Sequence, residues 1–195
     1  MLLTVPLILA SSSPRRKDLL SATGFSFDVL PADVNEDPVP GESVIQMVER
    51  LAILKANTVS SAHPNSLVLG SDTTVELSGK VLGKPETHAH AVEMLSQLSG
   101  RRHVVHTSLA LSHRTSNRLF SCVESTEVEF AVLSKKEIQR YVNTGSPMDK
   151  AGAYGIQDEG AFFVKGVVGD FYTVMGLPLH RLYGLLKTGF PDVLA

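Results

Sequence analysis

Val5-Pro6-Leu7-Ile8-Leu9-Ala10-Ser11-Ser12-Ser13-Pro14-Arg15-Arg16 carries an apolar run straight into a helix start. Residues 5–10 are too few for a stable helix and are almost wholly apolar, so they read as a buried strand. Ser13 has the side chain of an N-cap, and Pro14 has the fixed φ of a first helical position. A helix is therefore expected from there, with Leu19, Leu20 and Ala22 inward and Gly24 at its end. Strand into helix is the unit of an α/β fold.

The alternation continues outward from this segment. Phe25–Leu30 reads as a second strand, and the Pro- and Gly-punctuated stretch 31–41 as a loop. Val44, Met47, Val48, Leu51 and Leu54 recur at helical spacing, with Lys55 near the edge of that face. Leu67–Gly70 signals a buried strand that runs into Ser71-Asp72-Thr73-Thr74, and Ser78-Gly79-Lys80 predicts a hairpin. Ala91, Met94, Leu95 and Leu98 mark a further helix, stopped by Gly100. Residues 103–112 and 119–133 read as two strands, with Val128, Phe130 and Val132 on the inner side. Ser134 and Glu137 have capping-box spacing, so a helix is expected over 135–143. Ala161–Val168 and Phe171–Met175 suggest a hairpin turning at Gly169-Asp170, and a last helix is expected over 178–187. The sum is an α/β protein with a mixed sheet flanked by helices, one domain over 1–195.

Composition narrows the partners. The chain has 195 residues, 43% hydrophobic and 19% charged, enough for an aliphatic core. A formal net charge of −2 argues against a nucleic-acid polymer or an anionic membrane surface as partner. A small anion needs only a few local cations. Cys122 is the single cysteine, which excludes an internal disulfide or a cysteine metal cluster and fits a cytoplasmic setting. It reads as a small buried hydrophobe. The apolar start lacks a preceding basic residue and is broken by Pro6, so it does not read as a signal peptide.

Four segments can carry chemistry. Ser11–Arg16 offers free backbone N–H groups, hydroxyls and two guanidiniums at a helix start, which suits a phosphate. Arginines in a first helical turn oppose the helix dipole unless an anion compensates. Asp72, expected at the end of an apolar strand, can hold Mg²⁺ or activate water; equally, it can make a local turn hydrogen bond. Lys84, pinned between Gly83 and Pro85, is either a phosphate contact or a surface turn lysine. Asp149–Gln157 packs a carboxylate, an amine, a phenol and an amide among small residues that permit close approach to a ligand. Among the histidines, His88 and His90 share no helix face, and His103 and His106 point to opposite sides of a strand.

Taken together and in order, the chain resembles the Maf family of nucleotide pyrophosphatases. The resemblance rests on Leu9–Lys17, Arg50-Leu51-Ala52 with Lys55-Ala56, Gly70–Thr73, Leu82–Pro85, Leu98–Gly100, Met148–Gln157 and Met175–Pro178. It implies a two-lobed, elongated mixed sheet of inosine triphosphatase-like form with a central cleft, often as a homodimer. It implies hydrolysis of a nucleoside triphosphate to monophosphate and pyrophosphate with a divalent cation, Mg²⁺ or Mn²⁺. In that pattern Asp72 is the base, Ser11, Ser13, Arg15 and Arg16 hold phosphates, and Glu36, Lys55 and Lys84 match its acidic loop residue and its lysines; the divalent cation is expected on Asp72 and Glu36, with Asp72 as base, ligand or both. Arg15, Thr73 and Gln157 track the branch acting on dTTP and UTP, a house-cleaning role with a link to cell-division arrest. The alternatives are a purine or 7-methyl-GTP pyrophosphatase, or a nucleotide-sensing regulator of septum formation. Asp158-Glu159 departs from the pattern, which has Gly after Gln157, and adds two negative charges beside it.

Overall fold

In the computed structural model, which describes residues 3–194, Ser13, Ser43, Thr87 and Ser134 each accept from the backbone N–H three residues on. Each thereby starts a helix: α1 (Pro14–Ala22), α2 (Val44–Ala62), α3 (His88–Leu98) and α4 (Lys135–Asn143). Such a cap is worth about 1 kcal/mol. Two later helices are the short α5 (Phe171–Met175) and α6 (Leu179–Gly189).

The strands are β1 (Leu7–Leu9), β2 (Asp28–Val29), β3 (Leu67–Leu77), β4 (Lys80–Leu82), β5 (Arg102–His113), β6 (Arg118–Phe130) and β7 (Val164–Val168). They form one seven-stranded sheet in the order β2-β1-β3-β5-β6-β7, with β4 on β3. β1 runs parallel to β2 and β3, whereas β4 and β7 are antiparallel to β3 and β6, so the sheet is mixed as expected. The β3–β4 turn puts Ser78 and Gly79 at φ 52° and 81°, the left-handed pair that a two-residue hairpin needs.

The chain divides into two compact units, and the division falls within β3, β5 and β6. The first comprises residues to Asp72, Thr107–Glu124 and the stretch from Gly176; the second comprises Thr73–His106 and Ser125–Met175. In the first, Ile8, Ala10, Val68 and Ala110 pack with Ala52, Ala56 and Val59 of α2. In the second, α3 and α4 supply Met94, Leu95, Leu98, Ile138 and Tyr141 to a core with Val75, Val128, Phe130 and Phe163.

Several local expectations give way to tertiary context. Phe171–Met175 is a helix rather than a hairpin strand. The Asp170 carboxylate accepts from the N–H groups of Tyr172 and Thr173, so it caps a helix instead of turning a ladder. Residues 159–163 form a 3-10 turn before β7 begins. β6 ends at Phe130, and Val132, beyond it, is 86% exposed. β2 keeps only two residues of its expected six. Ala22 is exposed and Cys122 is half-buried. Asp72 lies inside β3 rather than at its end, because the ladder continues through the polar residues to Leu77.

Candidate active site

Gly70 is where the first unit's site begins. A Cβ there would lie 2.2 Å from the Ala52 carbonyl oxygen and 2.7 Å from the Ala56 nitrogen. Only a hydrogen fits, so α2 settles directly onto β3 with small residues at the contact. Lys55 stands between Ala52 and Ala56 on the helix, and Asp72 is two residues beyond Gly70 on the same strand face. Close approach therefore delivers the lysine to the carboxylate. Lys55 Nζ donates to Asp72 Oδ1 at 2.7 Å and pairs with Glu36 Oε1 at 2.7 Å. Lys55 and Asp72 are each 8% exposed, whereas the Glu36 side chain, from the 31–41 loop, is 53% exposed. Lys55 is thus mid-helix and buried, not at a face's edge.

The charge balance here leans on burial. Desolvation raises the Asp72 carboxyl above its ordinary value, and the neighbouring Lys55 and Arg16 charges offset this in part. Burial likewise weakens the charged form of Arg16, opposed by the Asp72 charge and reinforced by that of Arg15. Arginine remains cationic throughout the physiological range.

Ser11–Arg16 forms a connected segment at the start of α1. Ser11 Oγ accepts from Ser13 N at 3.2 Å and from Arg16 Nη1 at 3.1 Å. Arg16 Nε donates to the Gly176 carbonyl at 2.8 Å, and Ser71 Oγ donates to the same oxygen at 3.1 Å. Arg16 is therefore held by the protein itself, which answers part of the dipole cost of a basic first turn. Ser71 and Gly176 are the residues that sequence reasoning missed in this role. Gly176 has φ 103°, and the quoted Met175–Pro178 block was its only signal.

The second unit holds Thr73, Lys84 and Gln157. The Gly152 N–H donates to the Gly83 carbonyl at 3.0 Å, which ties the Lys84 turn to the 149–157 segment. Lys84 and Gln157 are exposed. Tyr154 and Lys150 turn inward. The Tyr154 hydroxyl lies 2.8 Å from His103 Nε2, and Lys150 donates to Ser146 and Asp149. The negative charge of Asp158 is engaged by Tyr141 of α4, Ser146 Oγ and the Gly160 N–H. Glu159 is exposed, 3.6 Å from Arg140.

A mixed α/β sheet carrying a buried carboxylate beside lysine and arginine defines a class of protein suited to handling phosphates. Its fold is shared by solved Ham1 proteins. That of Coxiella burnetii superposes with a TM-score of 0.53 at 17% identity, over 94% of this chain and 99% of that one. That of Staphylococcus aureus gives 0.54 at 15% identity, over 93% and 98%. The family model described as Maf-like protein matches residues 6–189, and the chain belongs to the Maf family. The dTTP/UTP pyrophosphatase of Symbiobacterium thermophilum is 50% identical over 186 residues, 95% of each chain. That of Salinibacter ruber is 45% identical over 193 residues, 98% of this chain and 95% of its own. No helix among the described residues is long and apolar enough to cross a membrane.

Proposed function

We propose that this chain, as a single domain over 1–195, hydrolyses dTTP and UTP to the monophosphate and pyrophosphate. Modified pyrimidine nucleotides are included in the reading, as is a cytoplasmic homodimer. The observation that carries it is the buried Asp72 with Lys55 at 2.7 Å, in a chain 50% identical to a dTTP/UTP pyrophosphatase.

The donor set suits a divalent cation. Asp72 and Glu36 already converge on one cationic centre, Lys55 Nζ, at 2.7 Å each. Both offer hard carboxylate oxygens, and Mg²⁺ is typically held by one or two carboxylates together with substrate phosphates. Asp72 and Glu36 would hold Mg²⁺ or Mn²⁺, which when bound neutralises phosphate charge and acidifies water.

Asp72 accepts the proton of the attacking water. The water oxygen bonds to the α-phosphorus, the bond to the bridging oxygen breaks, and pyrophosphate leaves. A carboxyl raised by burial has a basicity closer to the working pH, which favours that transfer. Lys55 fixes the Asp72 oxygen. Ser11, Ser13, Arg15, Arg16 and Lys84 offset charge on the phosphate oxygens. Arg15, Thr73 and Gln157 set nucleotide preference, as the family resemblance implies.

The test is pyrophosphate release from dTTP, UTP, dCTP, dGTP and 7-methyl-GTP in Mg²⁺ or Mn²⁺. The expected result is the highest kcat/KM for dTTP and UTP. A purine preference would overturn the substrate, and binding without turnover would overturn the enzyme.

A further inference from the structure

The 146–160 segment is closed on itself through one carboxylate. Asp158 Oδ1 accepts from the Tyr141 hydroxyl of α4 and from Gly160 N, both at 2.8 Å. Asp158 Oδ2 accepts from Ser146 Oγ at 2.7 Å and lies 3.4 Å from Lys150 Nζ. The Tyr141 hydroxyl in turn accepts from Gly155 N at 3.1 Å. One side chain thus joins α4, the 146–149 turn and the 159–163 turn.

The groups around Gly155 and Gly160 leave no slack. A Cβ on Gly155 would meet Asp158 Oδ2 at 2.6 Å and Lys150 Cε at 2.7 Å. A Cβ on Gly160 would meet the Gly155 carbonyl oxygen at 2.6 Å and the Tyr141 hydroxyl at 3.0 Å. Burial opposes ionisation of Asp158, but the bonds from Ser146, Gly160 and Tyr141 outweigh it and hold the carboxyl below its ordinary value. The anchor is therefore ionised and fully engaged at neutral pH.

Gln157 immediately precedes this anchor. The segment's amine and phenol are committed inward, while the Gln157 residue is exposed. A carboxamide pairs with the N3–H and C4 carbonyl of a uracil or thymine ring. Rotated, it pairs equally with the reversed pattern of cytosine. Discrimination therefore requires a fixed mount, and a mount ordered before binding avoids an entropic cost on binding.

We propose that Asp158 is the positioning residue for Gln157, holding its backbone so that the amide discriminates between pyrimidine bases. The proposal rests on Gln157 acting in nucleotide preference, as read above. It assigns a use to the position at which this chain departs from the family pattern.

The experiment compares wild type, Asp158→Ala, Asp158→Asn, Gln157→Ala and the Gln157→Ala/Asp158→Ala double variant. Steady-state kinetics with dTTP, UTP and dCTP are read beside thermal unfolding. Asp158→Ala should raise KM for dTTP about tenfold, the scale of one lost hydrogen bond, with a much smaller change in kcat. The dTTP to dCTP ratio of kcat/KM should fall by a similar factor. Asp158→Asn, which keeps an acceptor toward Tyr141, should recover part of both. The double variant should be no worse than Gln157→Ala, since each removes the same contact. An equal loss on all three nucleotides with Asp158→Ala would mean a merely structural knot and overturn the proposal. If Gln157→Ala lowers the ratio and Asp158→Ala does not, the positioning role alone fails. If Gln157→Ala leaves the ratio unchanged, the reading of Gln157 itself fails, and the proposal with it.

Discussion

Asp72 in the first unit and Asp158 in the second each have a lysine ammonium beside them, Lys55 at 2.7 Å and Lys150 at 3.4 Å. Their acidities nevertheless move in opposite directions. Asp72 sits deep on a strand face, and burial raises it despite two nearby cations. Asp158 accepts from a phenol, a serine hydroxyl and a backbone N–H, and those bonds outweigh its burial. A carboxylate whose oxygens are met by a phenol, a hydroxyl and a backbone N–H is a structural tie. One kept poorly solvated beside buried charged side chains is poised to exchange a proton or take a cation. A lysine neighbour alone does not distinguish the two.

The largest expected effect strikes the first of the pair. Asp72→Asn should lower kcat by about 10²–10⁴-fold, the usual worth of a positioned base, with folding retained in thermal unfolding. In the wild type, protonation of Asp72 removes the base, so activity should fall as pH drops through its raised value. Without a divalent cation, the Asp72 carboxyl should titrate above the ordinary aspartate value of about 3.9. Wild-type turnover in the variant would erase the distinction from Asp158.

Gly70→Ala probes how Asp72 is reached. Its Cβ would stand 2.2 Å from the Ala52 carbonyl oxygen, so α2 must shift away from β3. Overpacking of this kind costs about 1–3 kcal/mol, and the lysine should be drawn off the carboxylate. Denaturant midpoints and kcat, measured together, should both fall. Unchanged stability would show that the helix approach is not what seats Lys55.

A smaller effect belongs to the second unit and separates the two regions by pH. His103 is 2% exposed, lies against Phe130 and Tyr154, and is lowered to about 4 by burial. Its Nδ1 has no protein partner among the described residues. The unfolded chain, with a value of about 6.5, takes up the proton first. Stability is thus full above that value and declines as pH falls toward 4, by about 2 kcal/mol at pH 5. The tie at Asp158 has a different window. Its depressed value gives stability that is present above about 3.9 and lost below it. Unfolding free energies measured across this range should flatten between 6.5 and 4 in His103→Gln. Persistence of the slope would assign it to another group.

Much of this was legible in the residues. The caps at Ser13 and Ser134, the Ser78-Gly79 hairpin and the α3 face are local devices, and local rules read them. Asp170 is ambiguous in sequence because a turn and a helix cap use the same residue type. Asp72 was expected at a strand end because polarity rose there. Helical periodicity places Lys55 at the edge of its face, because lysine is seldom buried without a partner and the partner, Asp72, lies on another element.

Sequence by itself determined the βα start, the mixed α/β class, the family and the set of chemically able residues, since these follow from periodicity, capping and ordered motifs. Tertiary structure alone decided which carboxyl is raised by burial and which is lowered by its hydrogen bonds. That depends on Gly70 letting a helix touch a strand, and on Tyr141, Ser146 and Gly160 closing around Asp158. A charge's environment is made by groups that folding brings together, and no local pattern carries it.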